Sequence, residues 1–348
     1  MTPALKACVA GVHTSVQDFG RTGYRHLGVP SSGALCRTDL RLVNRLVGNS
    51  AATAGLEILY QGPTFEVLAD SVRIALSGSG GTLQVSGTPV NFFPAWQSVR
   101  LVRGQKFKIT LPPGLACCYL AIEGGFDLPP VMGSLSTYTR AVFGGYKGRI
   151  LASGDVIPLN FNSVDNRDEQ TFTTVPDKTQ DETFRITWGQ QVEYFTAASL
   201  DAFISQEYAI EPTSDRMGYR LSGNPLRHKD GFDIVSDATS VGAIQVPGDG
   251  APIILLADCQ TTGGYPKIAT VISSDVEVLA RRTPGSKVRF TCVSVGEAET
   301  IARNHEAAIV AIENKMMPVP NSPEFDVEAL YDANLISGMF DAKNPQSD

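Results

Sequence analysis

The chain is cut into short pieces: 33 glycines and 21 prolines punctuate 348 residues, and the apolar runs between them are mostly too short for helices. Residues 72–76, 99–102, 106–111, 115–122, 253–257 and 288–293 are rich in Val, Ile, Leu and Phe and are bounded by turn-forming residues. Branched and aromatic side chains fit a pleated surface, so these runs read as strands recurring roughly every dozen residues. The expected fold is mainly β, built of barrels with a few helices, and not a doubly wound α/β sheet.

Three segments depart from that pattern. Residues 36–46 place Leu40, Val43 and Leu46 on one helical face ahead of Gly48 and Asn49, a plausible helix stop. Residues 296–315 carry Ala298, Ile301, Ala302, His305, Ala308 and Ile309 at three-and-four spacing, and 198–205 form a weaker helical stretch. Residues 161–183 are polar and acidic with almost no apolar periodicity, which marks a linker. The organisation expected is a first barrel at 1–165, a linker at 166–183, a second barrel at 184–315 and a loosely packed tail at 316–348.

The two halves read as a duplication. Residues 18–30 and 214–225 share a Gly-Tyr-Arg core and a following Gly-x-Pro; 55–58 matches 242–245, 65–70 matches 253–258, and 99–109 matches 278–290. Different strand orders in the two halves would overturn these equivalences.

A net charge of -7 and the absence of a basic stripe argue against nucleic acid as a partner. The N-terminal residues lack the long apolar stretch of a leader, and no apolar run reaches membrane-spanning length, so a cytoplasmic protein without a membrane partner is expected. Cys8, Cys36, Cys117, Cys118, Cys259 and Cys292 have no metal or disulfide spacing, and reduced, mostly buried thiols are expected. His13, His26, His228 and His305 likewise have no ligand-like spacing. No nucleophile elbow, zincin helix or phosphate loop is present; the Gly-rich run 77–82 lacks the lysine and the following helix.

Polar side chains gather in four places. In 257–267, Asp258, Gln260, Thr261, Thr262, Tyr265 and Lys267 surround the flexible pair Gly263 and Gly264. That is either a binding loop, with backbone N–H groups and an ammonium aimed at a carbonyl, or a β-turn with a solvated lysine. In 214–221, Asp215, Arg216 and Tyr219 form either an anion-recognition fork or an internal salt bridge. Gln17, Asp18 and Arg21 occupy the corresponding place in the first half, and Ser134 and Thr137 lie in a third glycine-punctuated region, a binding loop or a long surface loop.

Long motifs run through these segments: VQDFGRTGYRHLGVPSSGA, NRLVGN, AIEGGF, GSLST, GGYKGR, SDRMGYRL and QTTGGYPKIATVIS. From residue 9 to about 296 the chain resembles the C subunits of bacterial 5-oxoprolinases, a family also called allophanate hydrolase subunit 2 or biotin-dependent carboxyltransferase. The resemblance implies two tandem cyclophilin-like β-barrels. It implies a B subunit similar to kinase-inhibitor proteins as partner, an A subunit, and ATP-dependent opening of a small cyclic amide, 5-oxoproline, to glutamate by the complex. ATP would be used by the complex and no cofactor is expected on this chain alone.

Relatives in urea carboxylase imply an alternative, transfer of a carboxyl group from carboxybiotin on a partner to urea or a urea-like amide. A non-catalytic regulatory module is the third reading. On the first, Lys267 polarises the amide carbonyl with Gln260 and Tyr265, and Asp215 or Asp258 handles protons. The sequence departs from the family at Leu35-Cys36, where relatives read Met-Asp; the nearest carboxylate is Asp39.

Overall fold

The computed structural model describes residues 2–175 and 182–320. In the first half, β1 (Ala4–Val9), β2 (His13–Gln17), β3 (Gly55–Leu59), β4 (Thr64–Val67), β5 (Ser71–Leu76) and β6 (Thr82–Val85) are followed by five more strands. These are β7 (Asn91–Pro94), β8 (Ser98–Val102), β9 (Lys106–Thr110), β10 (Cys117–Ile122) and β11 (Val156–Pro158). They form two antiparallel sheets, ordered β11-β1-β4-β9-β6-β7 and β2-β3-β10-β5-β8. Helix α1 (Arg37–Leu46) lies against β10 and β5.

The strand β12 (Gln170–Phe172) leads to the second half. Its strands β13 (Thr183–Trp188), β14 (Tyr208–Ile210), β15 (Gly218–Ser222), β17 (Ala243–Gln245), β18 (Ile253–Leu255), β20 (Lys267–Val271) and β21 (Lys287–Cys292) close a barrel in the order β13-β20-β17-β18-β15-β14-β21. Two short strands, β16 (Asp237–Ala238) and β19 (Thr262–Gly263), pair beside it. Helices α2 (Ala197–Ser205), α3 (Ser273–Leu279) and α4 (Val295–Glu313) complete the half, and β22 (Met316–Pro318) pairs with β12.

Side-chain alternation on β10 explains how the halves join. Cys118, Leu120 and Ile122 enter the core between the two N-terminal sheets. Cys117, Tyr119 and Ala121 point the other way, into a cluster that runs through α1 to Phe184, Ile186, Leu256 and Phe290 of the barrel, as the two-residue strand period requires. One apolar cluster therefore crosses the seam. Ion pairs reinforce it: Arg281 meets Asp39 at 3.2 Å with both side chains buried, and Arg41 reaches Glu313 on α4 at 2.7 Å. All six cysteines are free, and burial pushes the Cys117 and Cys118 thiols well above their ordinary pKa.

The mainly β expectation with a barrel and few helices holds, and the three expected helices are present. Two readings need correction. The equivalences drawn between the halves fail on strand order. Residues 18–30 are a loop with a single 3-10 turn at Arg25–Leu27, whereas their proposed counterpart contains barrel strand β15. Val278 and Leu279 lie in α3 where residues 99–102 form β8. Second, the polar segment ahead of β13 is anchored in part: Glu169 receives Arg73 Nε at 3.1 Å and Arg167 donates to the Val47 carbonyl at 2.9 Å. The first residues of the expected tail are paired in β22, and residues 321–348 lie outside the described residues.

Candidate functional site

At the centre of the seam stands Arg216, on the turn that enters β15. Its Nε and Nη2 donate to Asp258 at 2.9 and 3.1 Å, Nη2 also donates to the Gly33 carbonyl at 2.7 Å, and Nη1 donates to Glu57. Glu57, on β3, accepts in addition from Tyr119 Oη at 2.6 Å and from the Leu35 N–H at 3.0 Å. Arg216, Glu57 and Asp258 are 6%, 0% and 4% exposed. Burial opposes the charge on Arg216, but the two carboxylates outweigh it and hold its pKa above the ordinary arginine value. A fixed cation between two buried carboxylates clamps the first half to the barrel. His13 faces the same charges, and burial lowers its pKa below the ordinary histidine value.

Beside the clamp, the loop after β2 closes on the loop that precedes β11. Asp18 accepts from the Gly20 N–H, Ser134 Oγ, Ser136 Oγ and the Leu135 N–H, all within 2.7 Å. Arg21 donates to the Ser136 carbonyl at 2.5 Å and lies 4.8 Å over the Phe143 ring. Thr137 Oγ1 donates to the Val16 carbonyl at 2.9 Å, and Gln17 Nε2 to the Thr137 carbonyl at 3.2 Å. Asp18, Ser134 and Thr137 are thus engaged in bracing. Gln17 Oε1 and Arg21 Nη1 are buried with no hydrogen-bond partner among the described residues. Asp215 pairs with Arg140 of the second loop at 3.2 Å, both half-exposed, so this loop reaches the barrel at the rim of the seam.

A second polar group is built on the barrel wall around Lys267, which opens β20. Its Nζ lies 2.9 Å from Asp237 Oδ2, and its backbone N–H donates to Gln191 Oε1 at 3.3 Å. Lys267 is opposite Gln245 of β17, and Gln260 Nε2 donates to Gln245 Oε1 at 3.1 Å. Gln245 is 2% exposed, and its Nε2 has no partner among the described residues. Gly263 pairs with Asp237 and Thr262 with Ala238 in the β16–β19 ribbon, the Thr261 carbonyl accepts from the Thr239 N–H at 3.1 Å, and the Gly264 carbonyl accepts from Ile234 N–H at 2.9 Å. A side chain at Gly263 would strike the Gln245 amide, so glycine there lets the ribbon close over the group. Tyr265 is half-exposed next to it.

The eight residues expected in 257–267 therefore split: Asp258 belongs to the clamp, and the others surround or border Lys267. Tyr219 is apart from both, its hydroxyl donating to the Ala280 carbonyl at 2.9 Å inside the barrel. Sequence reasoning missed Glu57, Gln245, Asp237 and Gln191. An ammonium, an unpaired amide N–H and neighbouring amides can hold a carbonyl oxygen on which negative charge develops. No group of three or more His, Cys, Asp or Glu that could hold a metal occurs among the described residues. The Gly78–Gly81 turn connects two strands, β5 and β6, and has no helix N-terminus to cradle phosphates.

The family model described as "Carboxyltransferase domain, subdomain A and B" matches residues 27–292. The chain belongs to this carboxyltransferase family. It is 37% identical over 302 residues to the 5-oxoprolinase C subunit of Escherichia coli, covering 84% of this chain and 93% of the relative. It is 29% identical over 332 residues to the urea amidolyase of Saccharomyces cerevisiae, covering 89% of this chain but 18% of that protein. The crystal structure of the K. lactis urea amidolyase superposes with a TM-score of 0.83 at 27% identity, covering 93% of this chain and 21% of that one. Against those much longer proteins, this carboxyltransferase-family chain corresponds to one section.

Its departure at Leu35-Cys36 has a structural counterpart across the seam. Cys36 occupies the N-cap of α1 without a side-chain cap. Glu277 of α3 accepts from the Arg37 and Thr38 N–H groups at 3.2 and 3.1 Å, with the Cys36 thiol at 3.6 Å. The carboxylate at the start of the helix comes from the other half of the chain. Replacing Glu277 by Ala should lower stability by about 1 kcal/mol, the usual loss of a capping side chain, measured by urea unfolding; Cys36→Asp in that background should recover part of it.

Proposed function

We propose that this chain is the C-type member of an ATP-dependent 5-oxoprolinase complex, active together with the A and B subunits, that opens 5-oxoproline to glutamate. The observation that carries the proposal is the alignment with a 5-oxoprolinase C subunit across 93% of that protein's length at 37% identity. In the reaction the lactam C–N bond breaks, water oxygen is added to the carbonyl carbon, and ATP would supply phosphate activation of the lactam oxygen. Lys267, with the Gln245 and Gln260 amides, is the group suited to polarise that carbonyl. Asp258, with both oxygens engaged by Arg216, serves as a brace, and Asp215 stands at the rim, where proton exchange with solvent is open to it.

A second reading, carboxyl transfer from carboxybiotin on a partner to a urea-like nitrogen, is favoured by the family description and by the fold likeness to urea amidolyase. Purification of the tagged chain from its native host separates the two. Recovery of two further subunits and no biotinylated protein is expected; a stoichiometric biotin-carrying partner would replace the first reading with the second. No helix among the described residues is long and apolar enough to cross a membrane.

A further inference from the structure

A cavity of about 320 Å³ opens on the seam between the first half and α3, and its walls include neither Lys267 nor Gln245. Ser31, Ser32, Leu35 and Arg37 line it from the first half, Val276 and Glu277 from α3. Ser32 is 2% exposed, and its hydroxyl has no hydrogen-bond partner among the described residues. Its backbone is also held at a φ of 53°, a left-handed conformation that a serine seldom adopts. Close packing of the Gly20 and Gly33 backbones holds that loop in place, since a Cβ on Gly33 would come within 2.7 Å of the Gly20 nitrogen. A buried, unpaired hydroxyl presented in a strained loop is the arrangement found where a ligand completes the hydrogen bonding.

The cavity wall carries one cation, Arg37, and one carboxylate, Glu277, and the hydrogen-bond donors left over suit an anion. Arg37 is exposed at its mouth and donates one N–H to the Phe19 carbonyl at 2.8 Å, leaving the rest of its fork for a carboxylate. The Glu277 carboxylate accepts from the first N–H groups of α1 and from the Cys36 thiol, so its oxygens are engaged at the start of that helix. Leu35 and Val276 supply an apolar floor.

We propose that this cavity is a binding site for a small monocarboxylate that carries one further hydrogen-bond acceptor on a compact hydrocarbon body. The carboxylate pairs with Arg37, the acceptor takes the Ser32 hydroxyl, and the hydrocarbon lies on Leu35 and Val276. The site is separate from the Lys267 group and goes beyond the proposed function; only the choice of first probe rests on that reading. Because its walls come from both halves, an occupant also draws the seam together.

Isothermal titration of the full-length chain tests this with 5-oxo-L-proline, cyclopentanecarboxylate, which lacks the amide, and 2-pyrrolidinone, which lacks the carboxylate. Saturable one-to-one binding of 5-oxo-L-proline is expected, with both truncated probes weaker. Ser32→Gly removes the hydroxyl while relaxing the left-handed backbone, so it should keep or raise the melting temperature and still weaken binding at least tenfold. Arg37→Gln should weaken binding similarly, and Lys108→Met, on the exposed face of β9 and outside the cavity wall, should leave it unchanged. Absence of saturable binding, or binding indifferent to both Ser32→Gly and Arg37→Gln, would overturn the proposal. None of these readings depends on turnover by the assembled complex, so failure of the enzymatic assignment is seen separately.

Discussion

Replacing Arg216 by Met is expected to lower the free energy of unfolding by about 3–5 kcal/mol, the penalty typical of stripping one partner from a buried ionic group. Glu57 and Asp258 would remain at 0% and 4% exposure with no cation between them. The Gly33 carbonyl would lose its donor as well, loosening the loop that carries Ser32. The cost measures the broken network and not the worth of the intact one, since desolvating three charges offsets much of their attraction. A triple variant, Arg216→Met with Glu57→Gln and Asp258→Asn, should therefore be more stable than Arg216→Met alone. Urea unfolding followed by tryptophan fluorescence reads both; a loss under about 1 kcal/mol for Arg216→Met, the level of an exposed pair, would show that the halves are not clamped there.

Lys267→Met should leave folding cooperative and reduce kcat of the reconstituted complex by about 10²–10³, the usual loss when one donor to a developing oxyanion is removed. The Lys267 ammonium also holds the Asp237 carboxyl below the ordinary aspartate pKa, chiefly by hydrogen bonding. A depressed carboxylate contributes stability above its unfolded pKa and loses it as pH falls through the folded value. That acid-limb contribution should therefore be smaller in Lys267→Met, while the kcat loss persists at neutral pH. Restoring a cation with Lys267→Arg should recover little activity, because a planar fork does not fit the space of an ammonium paired with Asp237.

The strands were legible because their information is local. Alternation of Cys118, Leu120 and Ile122 against Cys117, Tyr119 and Ala121 is written in one six-residue segment, and the structure uses it as written. Helix α3 was not, since seven residues containing two valines leave little periodicity and Val278 reads equally well in a strand. The site divided along the same line. Arg216, Asp258, Gln260 and Lys267 stood out because polar groups cluster in short stretches of chain. Glu57 lies 159 residues from Arg216, and Asp237 lies 30 from Lys267; closing the barrel and docking it on the first half creates those pairs. Gln245 sits in a strand of three buried residues, where an amide gives no sign that its N–H will be left unpaired. The proposed repeat failed for a related reason: turn-rich segments such as Gly-Tyr-Arg occur in a loop at residues 23–25 and lead into a barrel strand at 218–220.

Glutamate release from 5-oxo-L-proline by this chain, assembled with the A and B subunits of the proposed complex, tests the functional assignment most directly. Glutamate formation that requires ATP and all three subunits, is insensitive to avidin and collapses with Lys267→Met is the predicted result. No glutamate, together with bicarbonate-dependent and avidin-sensitive ATP consumption on urea, would contradict it.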